Sequence, residues 1–499
     1  MNGNFFSKGT SATYNYTNAE IFATPSQEVN NGSFRLEAAF YGSAGYRALQ
    51  QMKQSGFSTT TIGERARVIW LGPFRRIWVA DHQAGIPFHS SSTMLMASSE
   101  PSGYISRALT PKLHKLIVKE GTILISCSGT IGNTAICTSE MHGAALSQHA
   151  IRLIPENRVD RGWIFAFLEC ECGQFLVKRS RSGSVIESIY KSDIASLPIP
   201  LLPKALREEL TRLVDEYCAL QVKANRLLDE TQREVQRSCY LPDLTTFVPK
   251  KLVESHGNET VFVSHRTERF ASACQFGELR LDATYHDPIA VAFAKYILSS
   301  EGGCTLSTLV KEIRNSALRK RIYVDDPSLG IPLLGGKQMM QWRPKGVNYL
   351  SNAFTRNLQN ETVQNGWTLI SCGGTLGRTM YVHRNFEGWA ASQDVMRIVP
   401  NSRRVFPGFL YAFLASKYGH IQLLQRGYGS VIPRLRDFQF LSIAVRLPSD
   451  RGESVHNKVI EVFDARAEAR NCEDQAVTLF TTALERGREY VESEWGEEY

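Results

Sequence analysis

The chain has 499 residues, with 57 Lys and Arg against 49 Asp and Glu and a formal net charge of +8. That length holds two or three domains, each with its own core, and the small basic excess suits an anionic partner without requiring one. Ten cysteines without a CxxC pair argue against zinc and fit a reducing compartment, no apolar run approaches the ~20 residues a bilayer needs, and the first residues lack a secretion signal, so a cytoplasmic protein with no membrane contact is expected.

From Arg35 the sequence reads RLEAAF, then GIPF from Gly85, among short apolar runs bounded by Gly, Pro, Ser and Asn, the pattern of a small, largely antiparallel sheet. GTILISCSGTIGNTAIC follows from Gly121. Glycines after a strand can cradle phosphate, but no Lys follows Gly132, and β-branched and apolar residues stand where a dinucleotide loop would open a helix. The segment reads as a strand, a glycine turn and a returning strand, with Gly129 and Gly132 supplying backbone freedom. Ser126 and Cys127, in an apolar strand, read as buried framework rather than nucleophiles. GWIFAFLECECGQFLVKR from Gly162 predicts a short amphipathic helix with Trp163 and Phe167 on one face, and LPIPLLP from Leu197 marks an exit. Then the period changes. From Lys204, Leu206, Leu210, Leu213, Tyr217, Leu220, Ala224, Leu227 and Thr231 recur at spacings of four and three, a heptad seam on a helix about 50 Å long.

The whole order then repeats. RLDATY from Arg280, GIPL from Gly330 and GWTLISCGGTLGRTMYV from Gly366 stand 245 residues after their counterparts, the last with nine of seventeen positions identical and Gly374 and Gly377 in register. Ser147-Gln148 returns as Ser392-Gln393; the offset slips by one, and GWIFAFL and GSVI from Gly183 return as GFLYAFL from Gly408 and GSVI from Gly429. The second exit, LSIAVRLP from Leu441, is weaker, and the helix from Glu453 begins with Val455, Val459 and Val462 but meets Arg466 and Glu473 at seam positions. Two homologous modules in tandem, each followed by a long helix, predict an α+β protein: two mixed, largely antiparallel β-rich domains whose helices form an antiparallel coiled-coil spacer. The divisions are residues 1–203, helix 204–238, linker 239–260, 261–450, helix 451–488 and an acidic tail 489–499.

A two-fold pair of readers at a fixed spacing matches two half-sites on one duplex. The run GIPF, GTILISCSGTIG, LSQHAIRLIP, GWIFAFL, GQFLVKR, GSVIESI, LPIPLLP, its second copy and the long helices resemble the DNA-specificity subunits of type I restriction–modification systems over residues 30–485 or so. The resemblance implies that each module is a target recognition domain reading half of a bipartite, asymmetric site in double-stranded DNA. It also implies that the helices dock two adenine-methyltransferase subunits, which recruit a restriction/translocase subunit. S-adenosylmethionine, ATP and magnesium are then expected on those partners and not on this chain.

No catalytic set emerges from the residues. There is no Asn/Asp-Pro-Pro-Tyr/Phe loop, no Walker pair, and no Glu-x-Lys following Pro242-Asp243; His149 becomes Asp394 in the second copy. Candidate DNA contacts are Arg75, Arg76, Gln148, Lys178, Arg179 and Arg181 in the first module, and Arg319, Lys320, Arg321, Gln393, Arg426, Arg434 and Arg436 in the second. Arg and Lys can bond guanine or phosphate, and Gln can bond adenine. A specificity component of another DNA-targeting defence complex and a protein-interaction scaffold without DNA affinity are the competing readings.

Overall fold

The computed structural model describes residues 13–16, 19–22, 44–80, 82–98, 100–179, 188–248, 280, 282–316 and 320–499; Arg181, Arg319 and nearly all of the runs from Arg35 and Gly183 lie outside them. The chain forms two compact units, Met1–Leu95 with Ser99–Val222 and Glu468–Tyr499, and Met96–Ser98 with Lys223–Ala467. The two long helices are therefore each divided between units.

In the first unit β1 (Thr13–Tyr16) pairs with β2 (Ala19–Phe22), and α1 (Ala44–Gln54) follows. Next come β3 (Thr59–Thr61), β4 (Ala66–Ile69), β5 (Trp78–Val79), β6 (Gly85–His89), β7 (Gly103–Ser106), β8 (Ile123–Ser126), β9 (Thr134–Ile136), β10 (Ala145–Leu146) and β11 (Ala150–Pro155). Two four-stranded sheets result, ordered β4-β11-β8-β9 and β10-β6-β7-β5, antiparallel except where β10 meets β6. All four residues of β8 are buried, which explains why Ile123, Leu124 and Ile125 run apolar instead of alternating.

The helix expected at Gly162 is two helices, α2 (Asp160–Glu169) and α3 (Glu171–Arg179), and α2 is buried from Gly162 through Leu168 instead of along one stripe. Its Phe165 stacks on Tyr217 and its Phe167 meets Phe480, so long-helix residues cover what an amphipathic helix would leave wet. The break falls at Cys170, whose sulfur accepts from the Gly173 N–H as an N-cap would. After β12 (Pro198–Pro200), paired with β3, comes α4 (Lys204–Ser238). No Gly or Pro interrupts α4, and Pro242 lies just beyond its end.

From β3 onward the second unit repeats this plan strand for strand. After α5 (Pro288–Ser299) and β13 (Gly303–Thr305), the strands β14 (Val310–Arg314), β15 (Tyr323–Val324), β16 (Gly330–Leu334), β17 (Asn348–Ser351), β18 (Thr368–Ser371), β19 (Thr379–Tyr381), β20 (Ala390–Ala391) and β21 (Val395–Pro400) form sheets ordered β14-β21-β18-β19 and β15-β17-β16-β20. Helices α6 (Pro407–Ala415) and α7 (Lys417–Arg426) follow, with Ser416 capping α7 where Cys170 caps α3. The weaker second exit still makes the equivalent strand, β22 (Ala444–Arg446), paired with β13. Helix α8 (Glu453–Arg486) follows, started by the Asp450 carboxylate on the Gly452 and Ser454 N–H groups, and the acidic tail adds a short helix, α9 (Arg488–Trp495).

Each long helix lies first on its own module. Gly162 presses against Leu210 and Thr211, and Gly408 against His456 and Val459. Both positions are crowded: a Cβ at 162 would come within 2.3 Å of the Leu210 carbonyl oxygen, and one at 408 within 2.5 Å of His456 Nδ1. The α4 seam is accordingly divided: Leu206, Leu210, Leu213 and Tyr217 are buried in the first unit, Leu220 is half-buried, and Ala224 and Leu227 are buried in the second, where Leu227 joins one hydrophobic cluster with Phe409, Phe413 and Val459. Within the first unit the helices run antiparallel, with Cys218 beside Glu473 and Lys204 bonded to Glu498. The seam charges find places: Glu473 is buried, and the Arg466 guanidinium lies over the Phe463 and Trp342 rings.

Candidate nucleic-acid interface

Between β8 and β9 the chain turns through Gly129 and Gly132 at φ 77° and 84°, and between β18 and β19 through Gly374 and Gly377 at φ 76° and 77°. These are left-handed conformations that favour glycine. The serine before each turn closes it: Ser126 Oγ donates to Thr130 O and accepts from the Asn133 N–H, while Ser371 does the same with Thr375 and Arg378. Burial pushes the Cys127 thiol up to about 11 and the Cys372 thiol up to about 12, so neither is a thiolate near neutrality. The repeated stretch is a scaffold.

Beside that scaffold each module builds one junction. Trp70 Nε1 donates to the Gln148 backbone oxygen at 2.9 Å, and Arg76 Nη2 donates to the Gln148 side-chain Oε1 at 2.9 Å. In the second module Asn315 Nδ2 donates to the Gln393 backbone oxygen at 2.6 Å, and Arg321 donates to Gln393 Oε1. Arg76 and Arg321, like Gln148 and Gln393, are equivalent at the offset of 245. Their pairing is not visible in the sequence, since β5 to β10 intervene between the arginine and its glutamine. The guanidinium fixes the amide, leaving a second lone pair on Oε1 and the Nε2 hydrogens for other partners. The flanks differ. Exposed His149 sits beside Gln148 Nε2 at 3.2 Å in one module, and Asp394 beside Gln393 Nε2 at 3.4 Å in the other, 3.6 Å from Arg434.

Next to each junction the surface carries large apolar side chains at matching positions. Trp78 is 50% exposed where Tyr323 is 48%, and Leu109 is 64% exposed where Phe354 is 69%. Exposed Arg75 and Lys320 adjoin them in sequence. In the second module Lys320, Arg321, Phe354, Arg356 and Glu361 line an open pocket of about 170 Å³. Arginine beside exposed aromatic rings can hold phosphate while presenting a flat face to a base or sugar. Composition does not single these apolar residues out, but their recurrence 245 residues apart does.

The remaining candidates are scattered. Lys178 is exposed at the end of α3, and the Arg179 guanidinium stacks 6.0 Å from the Tyr46 ring on α1. Arg436 lies 5.0 Å over Tyr428. Arg426 belongs to the core: it is buried, donates to Gln422 O and Ser442 O, and burial lowers its pKa to about 10. One further arginine in each module lies within a sheet strand and is not distinguished by sequence pattern. Arg152 on β11 donates to Leu116 O and Leu146 O, and Arg397 on β21 to Ser316 Oγ, Glu361 O and Ala391 O, both fully buried. Burial lowers each to about 10, so both remain cationic and tie loops to strands.

Among the described residues no group of three or more His, Cys, Asp or Glu could hold a metal ion, and no helix is long and apolar enough to cross a membrane. The family described as "Type I restriction modification DNA specificity domain" matches residues 85–210 and 335–477, together more than half of the chain. Similar solved structures include the S subunit of a type I restriction-modification system from M. genitalium (12% identity, 86% of this chain and 95% of that one, TM-score 0.25). Others are a chain from a study of complex assembly and conformational transition in the type I R-M system (14%, 86% and 97%, 0.26) and the HsdS subunit from Thermoanaerobacter tengcongensis (14%, 86% and 97%, 0.24). No curated protein matches the chain.

Proposed function

Because the chain belongs to the type I restriction modification DNA specificity family, we propose that it reads an asymmetric two-part DNA site, one part per module, and directs an adenine-methyltransferase and a restriction/translocase to it. The observation that carries this reading is the arginine-held glutamine on the surface of both modules, flanked by equivalent exposed apolar residues and by neighbours that differ. A shared frame with different neighbours is what two unlike half-sites require, since phosphate contacts position a reader and base-edge contacts specify it.

In this reading the chain does no chemistry. Arg75, Arg76, Lys320 and Arg321 meet phosphate or guanine, Gln148 and Gln393 meet base edges, and α4 with α8 sets the gap and carries two modification subunits. Those partners hold S-adenosylmethionine, and the restriction subunit ATP and magnesium.

The test is methylated-adenine mapping in cells that express the chain with its modification subunit. A bipartite motif that disappears with this chain supports the reading; an unchanged methylation pattern overturns it. Inserting one heptad into each long helix, between Val222 and Lys223 and between Ala467 and Glu468, adds about 10 Å and should widen the gap by about three base pairs while leaving both half-sites intact.

A further inference from the structure

Position 394, with its counterpart 149, is the place where the two reading junctions differ most in chemistry. The backbone there is rigid in both modules. Cys127 N–H donates to His149 O at 2.9 Å and Cys372 N–H to Asp394 O at 2.8 Å, while Ser147 Oγ and Ser392 Oγ accept from the N–H groups of His149 and Asp394 at 3.2 and 3.3 Å. The next residues, Ala150 and Val395, are wholly buried. Each side chain therefore leaves a fixed point, as a group that discriminates bases must.

One module presents an imidazole and the other a carboxylate. A carboxylate accepts hydrogen bonds only, and near a duplex it is repelled by phosphate unless it accepts from a base amine. Asp394 is 39% exposed, at the edge of a surface otherwise supplied with Lys320, Arg321 and Arg434. Room has been made for it: a Cβ at Gly373 would sit 2.5 Å from Asp394 Oδ1, whereas the first module has Ser128 at that position. Its salt bridge to Arg434 is not needed to hold the neighbouring hairpin, which backbone bonds already close from Tyr428 N–H to Arg434 O, Arg434 N–H to Tyr428 O, Gly374 N–H to Pro433 O and Leu435 N–H to Cys372 O. A half-exposed pair of this kind adds little to folding.

We propose that Asp394 is a specificity-determining residue of the second module, accepting from a base that carries an exocyclic amine in the major groove, cytosine N4 or adenine N6, a requirement that His149 does not impose in the first module. This rests on the DNA-reading function proposed above. It assigns one base-pair position in one half-site to one side chain.

The experiment selects bound duplexes from a pool of randomised sequence with the full-length chain, then with Asp394→Asn, and with Ser128→Gly/His149→Asp. The unaltered chain should return a two-part consensus with an amine-bearing base at the assigned position. Asparagine donates as well as accepts, so Asp394→Asn should admit thymine and guanine there, relaxing that preference about tenfold while the other half-site keeps its consensus. The double variant should impose a new preference for cytosine or adenine in the first half-site. A uniform loss of affinity for Asp394→Asn with all base preferences intact, or no change, would show that the residue merely supports Arg434 and would overturn the inference alone. No two-part consensus from the unaltered chain would overturn the function on which it rests.

Discussion

The two modules share strand order, glycine turns, the arginine-held glutamine and a glycine pressed against the following long helix, and they part company in what fills equivalent buried or half-buried places. Leu116 in the first module is Glu361 in the second, His89 is Leu334, and Thr211 is His456. The frame is kept because the backbone conformations and close approaches admit few alternatives. The fillings vary because a buried site accepts any side chain of suitable volume whose polar atoms are satisfied. Each module is therefore a control for the other.

The sharpest break in the comparison is at the buried arginines. Arg397 shares its pocket with the Glu361 carboxylate, 3.7 Å away, whereas Arg152 meets only carbonyl oxygens, and Leu116 O also accepts from the Leu146 N–H. Arg397→Met removes the cation and leaves the buried acid, so it should destabilise the second module by about 3–5 kcal/mol. Arg152→Met loses hydrogen bonds but also the cost of a buried charge, and should cost about 1–2 kcal/mol. Hydrogen-exchange protection of peptides from each module in the full-length chain reads both, and equal losses would mean that Glu361 does not set the difference.

A smaller effect follows from the glycines under the long helices. At Gly162 an added methyl meets the backbone of Leu210 and Thr211, which cannot move without moving α4. At Gly408 its closest contact is the His456 ring, which can turn aside at the expense of the bond from the Gly408 N–H to His456 Nδ1, leaving the milder approaches to His456 Cα at 3.0 Å and Val459 Cβ at 3.1 Å. Gly162→Ala should cost about 3 kcal/mol and Gly408→Ala about 1 kcal/mol. The reverse ranking in urea unfolding would place the tighter contact in the second module.

These contrasts show where sequence reading succeeds. The repeat, the turn at Gly129 and Gly132 and the extent of α4 are legible because each depends on local pattern: glycine where φ is positive, a proline-free heptad run, an offset that holds over a hundred residues. The fully buried α2 is not legible as such, because a continuously apolar helix and an amphipathic one differ only in what covers the second face, and residues of α4 and α8 supply that cover. The arginine–glutamine junction is half legible. Arg76, Arg321, Gln148 and Gln393 were separate candidates, but their pairing depends on the β10-β6-β7-β5 sheet bringing residues 72 positions apart together. Charge alone does not distinguish a surface arginine from Arg426, which is buried and bonded to core carbonyls.

The smallest expected difference is in pH response. Burial holds His89 well below its ordinary value, at about 4, and holds His456 below it as well. A histidine depressed on folding binds fewer protons in the folded state than in the unfolded one. The stability associated with its neutral form is present above about pH 6.5 and is lost as pH falls toward the folded value. For His89 the loss runs from about 6.5 to about 4, at up to about 1.4 kcal/mol per pH unit. Each module carries the other's insensitive alternative: Leu334 occupies the place of His89, and Thr211 that of His456, accepting from the Gly162 N–H as His456 accepts from Gly408. His89→Leu should thus flatten the pH dependence of the first module alone between pH 6.5 and 5.5, and His456→Thr that of the second alone. If either substitution flattened both modules, or neither, module-resolved hydrogen exchange would assign the acid sensitivity to groups other than these two imidazoles.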